Sequence, residues 1–159
     1  MMHKLHILGL GTGKSEELSY KAYNLINSEK PKYARTIRHP VLTEQSYKNL
    51  KAFDEIFEKE DNLEQVYQII KETLDYALDQ YDEIIYIVPG SPYIGDRIVD
   101  SYLNEQHGIE IDIIDGCSFI DKAIKLSGTQ NMRVNIIDGQ VLNQYSIDIH
   151  GDNIICGIE

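Results

Sequence analysis

Short apolar runs alternate along the chain with longer stretches in which apolar residues recur every three or four positions. The runs predict buried strands, and the longer pattern is typical of helices that pack one face against a sheet. The predicted strands are residues 5–10, 33–37, 84–88, 109–114 and 134–137. The predicted helices are residues 18–26, 63–78, 98–103 and 119–126, whereas residues 41–59 show no legible pattern.

The order of these elements predicts the fold class. Residues 84–88 are apolar at every position, which suits a central parallel strand covered on both faces. Strands that alternate with helices imply right-handed crossovers between parallel strands. We therefore predict an α/β fold, with a mostly parallel open sheet and helices on both faces.

The alternation of strand and helix patterns stops toward the end of the chain. Residues 145–149 and 153–158 have the pattern of two strands joined by His150-Gly151-Asp152, with no helix between them. We predict one α/β domain over residues 1–138 and the beginning of a second, truncated α/β subdomain over residues 139–159. This organisation is expected of a fragment of a longer protein.

Composition disfavours several classes of partner. The net charge is −11, and no basic cluster is present to track a nucleic-acid backbone. No apolar run approaches the roughly 18 residues of a membrane span. The start of the chain lacks a cleavable apolar segment, so we expect a cytoplasmic protein that binds neither nucleic acid nor membrane.

The cysteines and histidines predict no metal site. Cys117 and Cys156 form no CxxC pair, and no histidines are grouped at zinc-ligand spacing. We expect two reduced, mostly buried thiols, with Cys117 in a packing role. His39, beside a proline after the second predicted strand, is expected to be a structural or surface residue.

Three glycine-bearing turns follow predicted strands, at residues 9–13, 89–92 and 115–118. In an open parallel sheet, ligands bind beyond the carboxyl ends of the strands, where backbone N–H groups and helix N-termini point. The three turns therefore predict a small-molecule site at that edge of the sheet.

The first turn fits neither of two familiar nucleotide motifs. The dinucleotide fingerprint requires a glycine at position 14, which is Lys14. The phosphate loop of NTPases needs four residues between its first glycine and Gly-Lys-Ser, and residues 9–15 supply three. A nicotinamide cofactor and an NTPase mechanism are both disfavoured.

Together the three turns resemble those of the tetrapyrrole (corrin/porphyrin) methylases. The resemblance rests on Gly9-Leu10-Gly11-Thr12-Gly13, Val88-Pro89-Gly90-Ser91-Pro92 and Ile114-Asp115-Gly116-Cys117-Ser118-Phe119, in that order. The Arg38-His39-Pro40-Val41 segment and the Pro-Gly-Ser-Pro turn resemble the methylase-like domain that precedes a MazG nucleotide pyrophosphohydrolase in some bacterial proteins.

This resemblance implies that the chain binds S-adenosylmethionine and that it forms a homodimer, as members of this family generally do. It leaves the methyl acceptor and the catalytic residues unknown. Methyl transfer depends mainly on positioning, which suits a site of glycine, serine and backbone atoms. The predicted cofactor-binding residues are Gly9, Gly11, Gly13, Pro89, Gly90, Ser91, Pro92, Tyr93, Ile94, Ser118 and Phe119.

Two alternative functions remain open at this point. The family's first turn usually reads Gly-x-Gly-Pro-Gly-Asp, and the replacements Thr12 and Lys14 favour a non-catalytic regulatory module that keeps the fold. The chain could instead be a magnesium-dependent nucleotide pyrophosphohydrolase itself. Its carboxylates would be Asp54, Glu55, Glu58, Glu72 and Asp75, although helix amphipathicity favours a solvated face for them.

Overall fold

The computed structural model describes residues 3–105, 108–128, 133–139, 147–148 and 150–156. The chain divides into two compact units, residues 1–117 and 118–159, and the predicted boundary after residue 138 falls inside the second. Within the described ranges, we find no helix with the length and apolar character of a membrane span.

The first unit is built on a parallel sheet of five strands in the order β3-β2-β4-β1-β5. The strands are β1 (Lys4–Gly9), β2 (Lys32–Ala34), β3 (Leu50–Ala52), β4 (Glu83–Val88) and β5 (Glu110–Ile114). A 3-10 helix (Ser15–Glu17) precedes the α-helices α1 (Tyr20–Ile26), α2 (Pro40–Glu44), α3 (Asp54–Lys59), α4 (Leu63–Gln80) and α5 (Arg97–Asn104). The predicted α/β fold with a mostly parallel sheet is confirmed.

Helices cover both faces of this sheet, as predicted. Because side chains alternate along a strand, Leu5 and Ile7 of β1 pack with α4 and α5, whereas Leu8 packs with α1 and α2 on the other face. In β4, residues 84–88 are at most 1% exposed. The chain therefore buries its most apolar strand in the interior of the sheet, between β2 and β1.

The structure corrects the prediction for the second strand. β2 ends at Ala34 rather than at residue 37, because the carboxylate of Asp54 takes over the next polar groups. Its oxygens accept hydrogen bonds from the hydroxyl of Thr36 at 2.6 Å and from the backbone N–H of Ile37 at 2.8 Å. The stretch over residues 41–59 contains most of α2, all of β3 and all of α3, which are too short to show a period.

The second unit contains α6 (Phe119–Ser127) and a parallel pair of strands, β6 (Val134–Asp138) and β7 (Asp152–Cys156). The prediction of a strand over residues 145–149 is wrong at residues 147–148, where the side chain of Asn153 binds both backbone groups of Asp148 at 2.9 Å. The rest of that strand, and residues 157–158 of the other, lie outside the described residues.

Candidate functional site

The carboxyl ends of β1 and β4 form a topological switch point. The two strands are parallel neighbours, yet the helix after β1 packs on one face of the sheet and the helix after β4 packs on the other. At such a point the outgoing connections diverge and leave a crevice, where ligands of open α/β sheets bind. The glycine turns at residues 9–13 and 89–92 follow these two strands.

The first two turns are joined by a pair of backbone hydrogen bonds. The N–H of Gly11 donates to the carbonyl of Gly90 at 3.0 Å, and the N–H of Gly90 donates to the carbonyl of Gly11 at 2.9 Å. The third turn lies against both, because a Cβ atom on Gly116 would come within 2.5 Å of the Gly11 nitrogen and 2.2 Å of the Gly90 oxygen. The prediction that three turns share one edge of the sheet is confirmed.

Two of these glycines are required by packing alone. A Cβ atom on Gly9 would lie 2.6 Å from Cδ of Pro92 and 2.7 Å from backbone atoms of Gly90 and Gly116. Gly116 is equally crowded by the backbone of its neighbours. Since side chains cannot approach main chain this closely, glycine at these positions is explained without any ligand.

Gly90 has a different environment. Its φ of +68° lies in the left-handed region, and a Cβ atom there would meet nothing within 4 Å. The residue itself is buried, so open space lies directly beside its main chain. Close approach of a ligand to the backbone is a second use of glycine, and this open side of Gly90 fits such a ligand.

His39 holds the first turn in place. It is 6% exposed, and its Nδ1 accepts a hydrogen bond from the backbone N–H of Val41 at 3.2 Å. This assigns the ring hydrogen to Nε2, which donates to the carbonyl of Gly11 at 2.9 Å. The expectation of a structural histidine is confirmed, and that carbonyl accepts two hydrogen bonds.

The departures from the family motif lie next to this carbonyl. The hydroxyl oxygen of Thr12 is buried and finds no hydrogen-bond partner among the described residues, whereas Lys14 is exposed. The hydroxyl of Ser15 donates to the carboxylate of Glu44 at 2.5 Å, a bond that lowers the pKa of Glu44. The first turn is thus tied to α2 at both His39 and Glu44.

A buried ionic network, which sequence reasoning missed, anchors the end of the segment that joins the second turn to α5. Asp96 is 4% exposed, and its Oδ1 caps α5 by accepting hydrogen bonds from the N–H groups of Ile98 and Val99. Its Oδ2 accepts from Arg35 at 3.1 Å and from the hydroxyl of Tyr86 at 3.2 Å. Only the helix-capping position of Asp96, just before an amphipathic run, could have been read from the sequence.

Burial and charge act in opposite directions on this network. Burial, the largest single influence, would lower the pKa of Arg35, but Asp96, Tyr86 and Tyr67 together outweigh it, so the Arg35 pKa is raised. Burial raises the pKa of Tyr86 well above its ordinary value. Arg35 is therefore a permanent cation and Tyr86 a permanent hydroxyl donor at the carboxyl edge of the sheet.

The remaining predicted residues have varied surroundings. Within the second turn Pro92 is buried, while the ring of Tyr93 is 60% exposed. Gly13 lies beneath the carboxyl group of Glu17. Two others belong to the second unit, where the hydroxyl of Ser118 caps α6 and Phe119 is its first residue.

One expectation about this region is wrong. Cys117 was expected to be buried in a packing role, but its side chain is exposed. The backbone of Cys117 packs beside the first turn, since a Cβ atom on Gly11 would lie 3.3 Å from its nitrogen, whereas its side chain remains accessible to solvent. The side chain of Cys156 lies outside the described residues.

The acidic residues of the alternative hydrolase site do not converge. Asp54 binds the segment after β2, Glu55 pairs with Lys59 at 3.0 Å, and Asp75 accepts from the hydroxyl of Tyr102 at 2.5 Å. The other two also have partners, Arg38 for Glu58 and Gln68 for Glu72. In the part of the chain that the structure describes, no three acidic, histidine or cysteine side chains are grouped as metal ligands.

Comparison with known proteins places this geometry in a family. The model of the family described as tetrapyrrole (corrin/porphyrin) methylases matches residues 4–138. The chain is also 26% identical over 163 residues to the uncharacterized protein YabN of Bacillus subtilis (strain 168). That match covers 99% of this chain but 33% of YabN, so the chain spans about a third of the length of this relative.

Solved structures share the fold. A uroporphyrin-III C-methyltransferase from Thermus thermophilus superposes with a TM-score of 0.63 at 16% identity, over 86% of this chain and 59% of that one. The precorrin-6Y methylase from Archaeoglobus fulgidus gives 0.58 at 17% identity, over 87% and 64%. Another structure of the Thermus enzyme, complexed with S-adenosyl homocysteine, gives 0.58 at 19% identity, over 86% and 59%. With its fold, its three turns and the family model in agreement, this chain belongs to the tetrapyrrole (corrin/porphyrin) methylases.

Proposed function

We propose that this chain is an S-adenosylmethionine-binding, methyltransferase-like domain, with the cofactor held by the turns after β1 and β4. The observation that carries the proposal is the open side of the buried Gly90, at a switch point where Gly9 and Gly116 are packed against main chain. A structural relative of the same fold has been crystallised with S-adenosyl homocysteine, the product that remains after methyl transfer.

The residues of the second turn have binding and orienting roles in this proposal. The backbone of Gly90 provides the surface that the ligand approaches, and the paired hydrogen bonds to Gly11 keep that surface rigid. The cofactor supplies an activated methyl group when it is bound. Because such a transfer depends mainly on alignment of the reacting atoms, rigid backbone contacts serve it better than acid–base groups.

We further propose that the domain is part of a longer protein. The relative YabN is about three times as long as the segment that this chain matches. The resemblance of residues 38–41 and 89–92 to methylase-like domains beside MazG enzymes suggests that the remainder includes a nucleotide pyrophosphohydrolase. A cytoplasmic homodimer and an unidentified methyl acceptor complete the proposal.

The test is a calorimetric titration of the chain with S-adenosylmethionine and S-adenosylhomocysteine, on the wild type and on Gly90→Ala. The new methyl group enters the open space, so the variant should lose at least about tenfold in affinity. Its backbone strain should cost about 1–2 kcal/mol of stability. Gly108→Ala is the matched control, since Gly108 has a φ of +63° and an equally open Cβ position before β5.

Each outcome has a definite meaning. Micromolar binding that Gly90→Ala loses and Gly108→Ala keeps supports the proposed cofactor site. Equal binding by both variants places the ligand elsewhere. No binding by the wild type up to millimolar concentration contradicts the proposal for this chain. If binding is found, conversion to S-adenosylhomocysteine in the presence of a tetrapyrrole separates a methyltransferase from a regulatory module.

A further inference from the structure

Arg35 uses little of its hydrogen-bonding capacity. A guanidinium group has five N–H donors, and among the described residues the side chain of Arg35 makes one hydrogen bond, from Nη1 to Asp96. Its Nε and Nη2 atoms have no partner among the described residues and are not fully buried, and 18% of the side chain is exposed. The N–H groups on these two nitrogens are therefore accessible from solvent.

The guanidinium is held in a fixed orientation. Its central carbon lies 5.3 Å from the centre of the Phe57 ring and 5.9 Å from that of Tyr67, which are cation–π distances. Asp96 fixes one edge of the group from the side of α5. A planar cation that is braced by two rings and one carboxylate holds its remaining donors in one fixed plane, which suits bidentate recognition of an oxyanion.

The position of Arg35 connects it to the candidate site. It directly follows β2, and its backbone N–H donates to the carbonyl of Ile87 in β4, one residue before the end of that strand. Asp96 is the last residue of the loop that runs from Gly90 to the start of α5. Arg35 thus lies beside the connection that carries the open glycine, on the side of α3 and α4.

Stability alone does not explain this pair. Removing two charges from water is expensive, and a well-packed apolar pair is often equally stable or more so. In this protein, whose net charge is −11, a fixed cation with accessible donors is suited to an anionic ligand.

We propose that Arg35 forms an anion subsite that binds a carboxylate group beside the connection after β4, with Asp96 as its positioning residue. The carboxylate can belong to the amino-acid part of the cofactor or to a methyl acceptor, and only this choice rests on the proposed function. Asp96 competes with the ligand for the same cation, so its charge weakens the subsite while its geometry maintains it.

Because the charge of Asp96 opposes ligand binding whereas Arg35 provides it, variants of the two residues should change carboxylate affinity in opposite directions. Asp96→Asn keeps an oxygen for capping α5 but removes the charge and the acceptor that face Arg35, while Phe57 and Tyr67 still orient the guanidinium. Freed from the competing charge, Arg35 should bind a carboxylate several-fold more tightly. The double variant Arg35→Met/Asp96→Asn removes both charges, should remain folded, and should weaken binding about tenfold or more. Glu55→Gln, at an exposed carboxylate, is the control for the change in net charge.

The first readout is independent of the cofactor. The chain has four arginines, so its arginine Nε–Hε signals in a ¹⁵N-labelled sample can be assigned, with that of Arg35 missing in the double variant. Acetate should shift the Arg35 signal saturably against a chloride control, and at lower concentration in Asp96→Asn. No acetate-specific shift, or equal midpoints in Asp96→Asn and wild type, would overturn the subsite whether or not the chain binds S-adenosylmethionine.

Calorimetry then identifies the source of the carboxylate. If it belongs to the cofactor, the double variant weakens binding of S-adenosylhomocysteine but not of 5′-methylthioadenosine, which lacks the amino-acid group. If it belongs to an acceptor, the same variant weakens binding of uroporphyrin III alone. Unchanged affinity of a binding-competent wild type and double variant for all three probes would refute the subsite, even though the cofactor proposal would stand.

Discussion

Replacing Gly116 by alanine introduces a methyl group at the point where the three turns meet. The added Cβ atom would lie 2.2 Å from the oxygen of Gly90, 2.5 Å from the nitrogen of Gly11 and 2.7 Å from the carbonyl carbon of Gly9. All three contacts are with main chain, so no side chain can rotate to relieve them. The turns must move apart.

The cost follows from what has to move. Overpacking of this kind typically costs about 1–3 kcal/mol. Separation of the turns also stretches the two hydrogen bonds between Gly11 and Gly90, each worth about 0.5–1.5 kcal/mol. The free energy of unfolding should therefore fall by about 2–6 kcal/mol, a large part of the 5–15 kcal/mol typical of a domain.

Urea denaturation of the wild type, Gly116→Ala and Gly108→Ala measures this effect. Gly108→Ala experiences only the strain of a positive φ, about 1–2 kcal/mol, because its Cβ position is open. We expect a clearly larger loss for Gly116→Ala, with an unchanged denaturant slope. A loss no greater than that of the control would refute the close packing of the three turns.

Three further predictions concern other parts of the molecule. His39→Ala should lower the free energy of unfolding by about 1–3 kcal/mol, because two buried hydrogen bonds are lost, and it should also weaken binding of S-adenosylmethionine. Denaturation measures the first effect and calorimetry the second. Unchanged stability and affinity would contradict the role of His39 in holding Gly11. The carboxylate of Glu83 accepts hydrogen bonds from Lys30 and His6, which lower its pKa from 4.5 to about 2. Ionised Glu83 therefore stabilises the folded state at pH values above its unfolded-state pKa, and this stabilisation is lost as the pH falls from about 4.5 toward 2. Because the Glu83 side chain is 40% exposed, we expect it to contribute only about 0.5–1 kcal/mol to the free energy of unfolding. The stability of Glu83→Gln should therefore depend less on pH in acid unfolding, and identical profiles for variant and wild type would contradict this contribution. Finally, the chain should release no pyrophosphate from nucleoside triphosphates with magnesium, because its candidate carboxylates are dispersed; release that Glu72→Gln abolishes would restore the hydrolase alternative.

Long periodic elements were predictable because their signal is local. The helix α4 was predictable from apolar residues that recur every three or four positions, and the structure adds its cap, in which Asn62 accepts a hydrogen bond from the N–H of Glu64. The strand β4 was recognised because every residue must be apolar when both faces are covered. The three turns were located since glycine directly after a strand marks a change of direction.

Short elements were not predictable in the same way. The elements α2 and β3 have five and three residues, fewer than are needed to show a period. Their formation depends on distant partners, such as the cap that His39 provides for α2 and the pairing of β3 with β2. The early end of β2 likewise depends on Asp54, which lies 17 residues beyond Ile37 in the chain.

The sequence by itself determined the fold class, the family resemblance and the edge of the sheet that the three glycine turns share. Only the tertiary structure distinguished the surroundings of the glycines: Gly9 and Gly116 are packed against main chain, whereas Gly90 faces open space. It also brought Arg35 to Asp96, 61 residues apart. The reason is physical, because periodicity and turn chemistry act between near neighbours, while close packing and buried charge pairing arise only when distant segments meet.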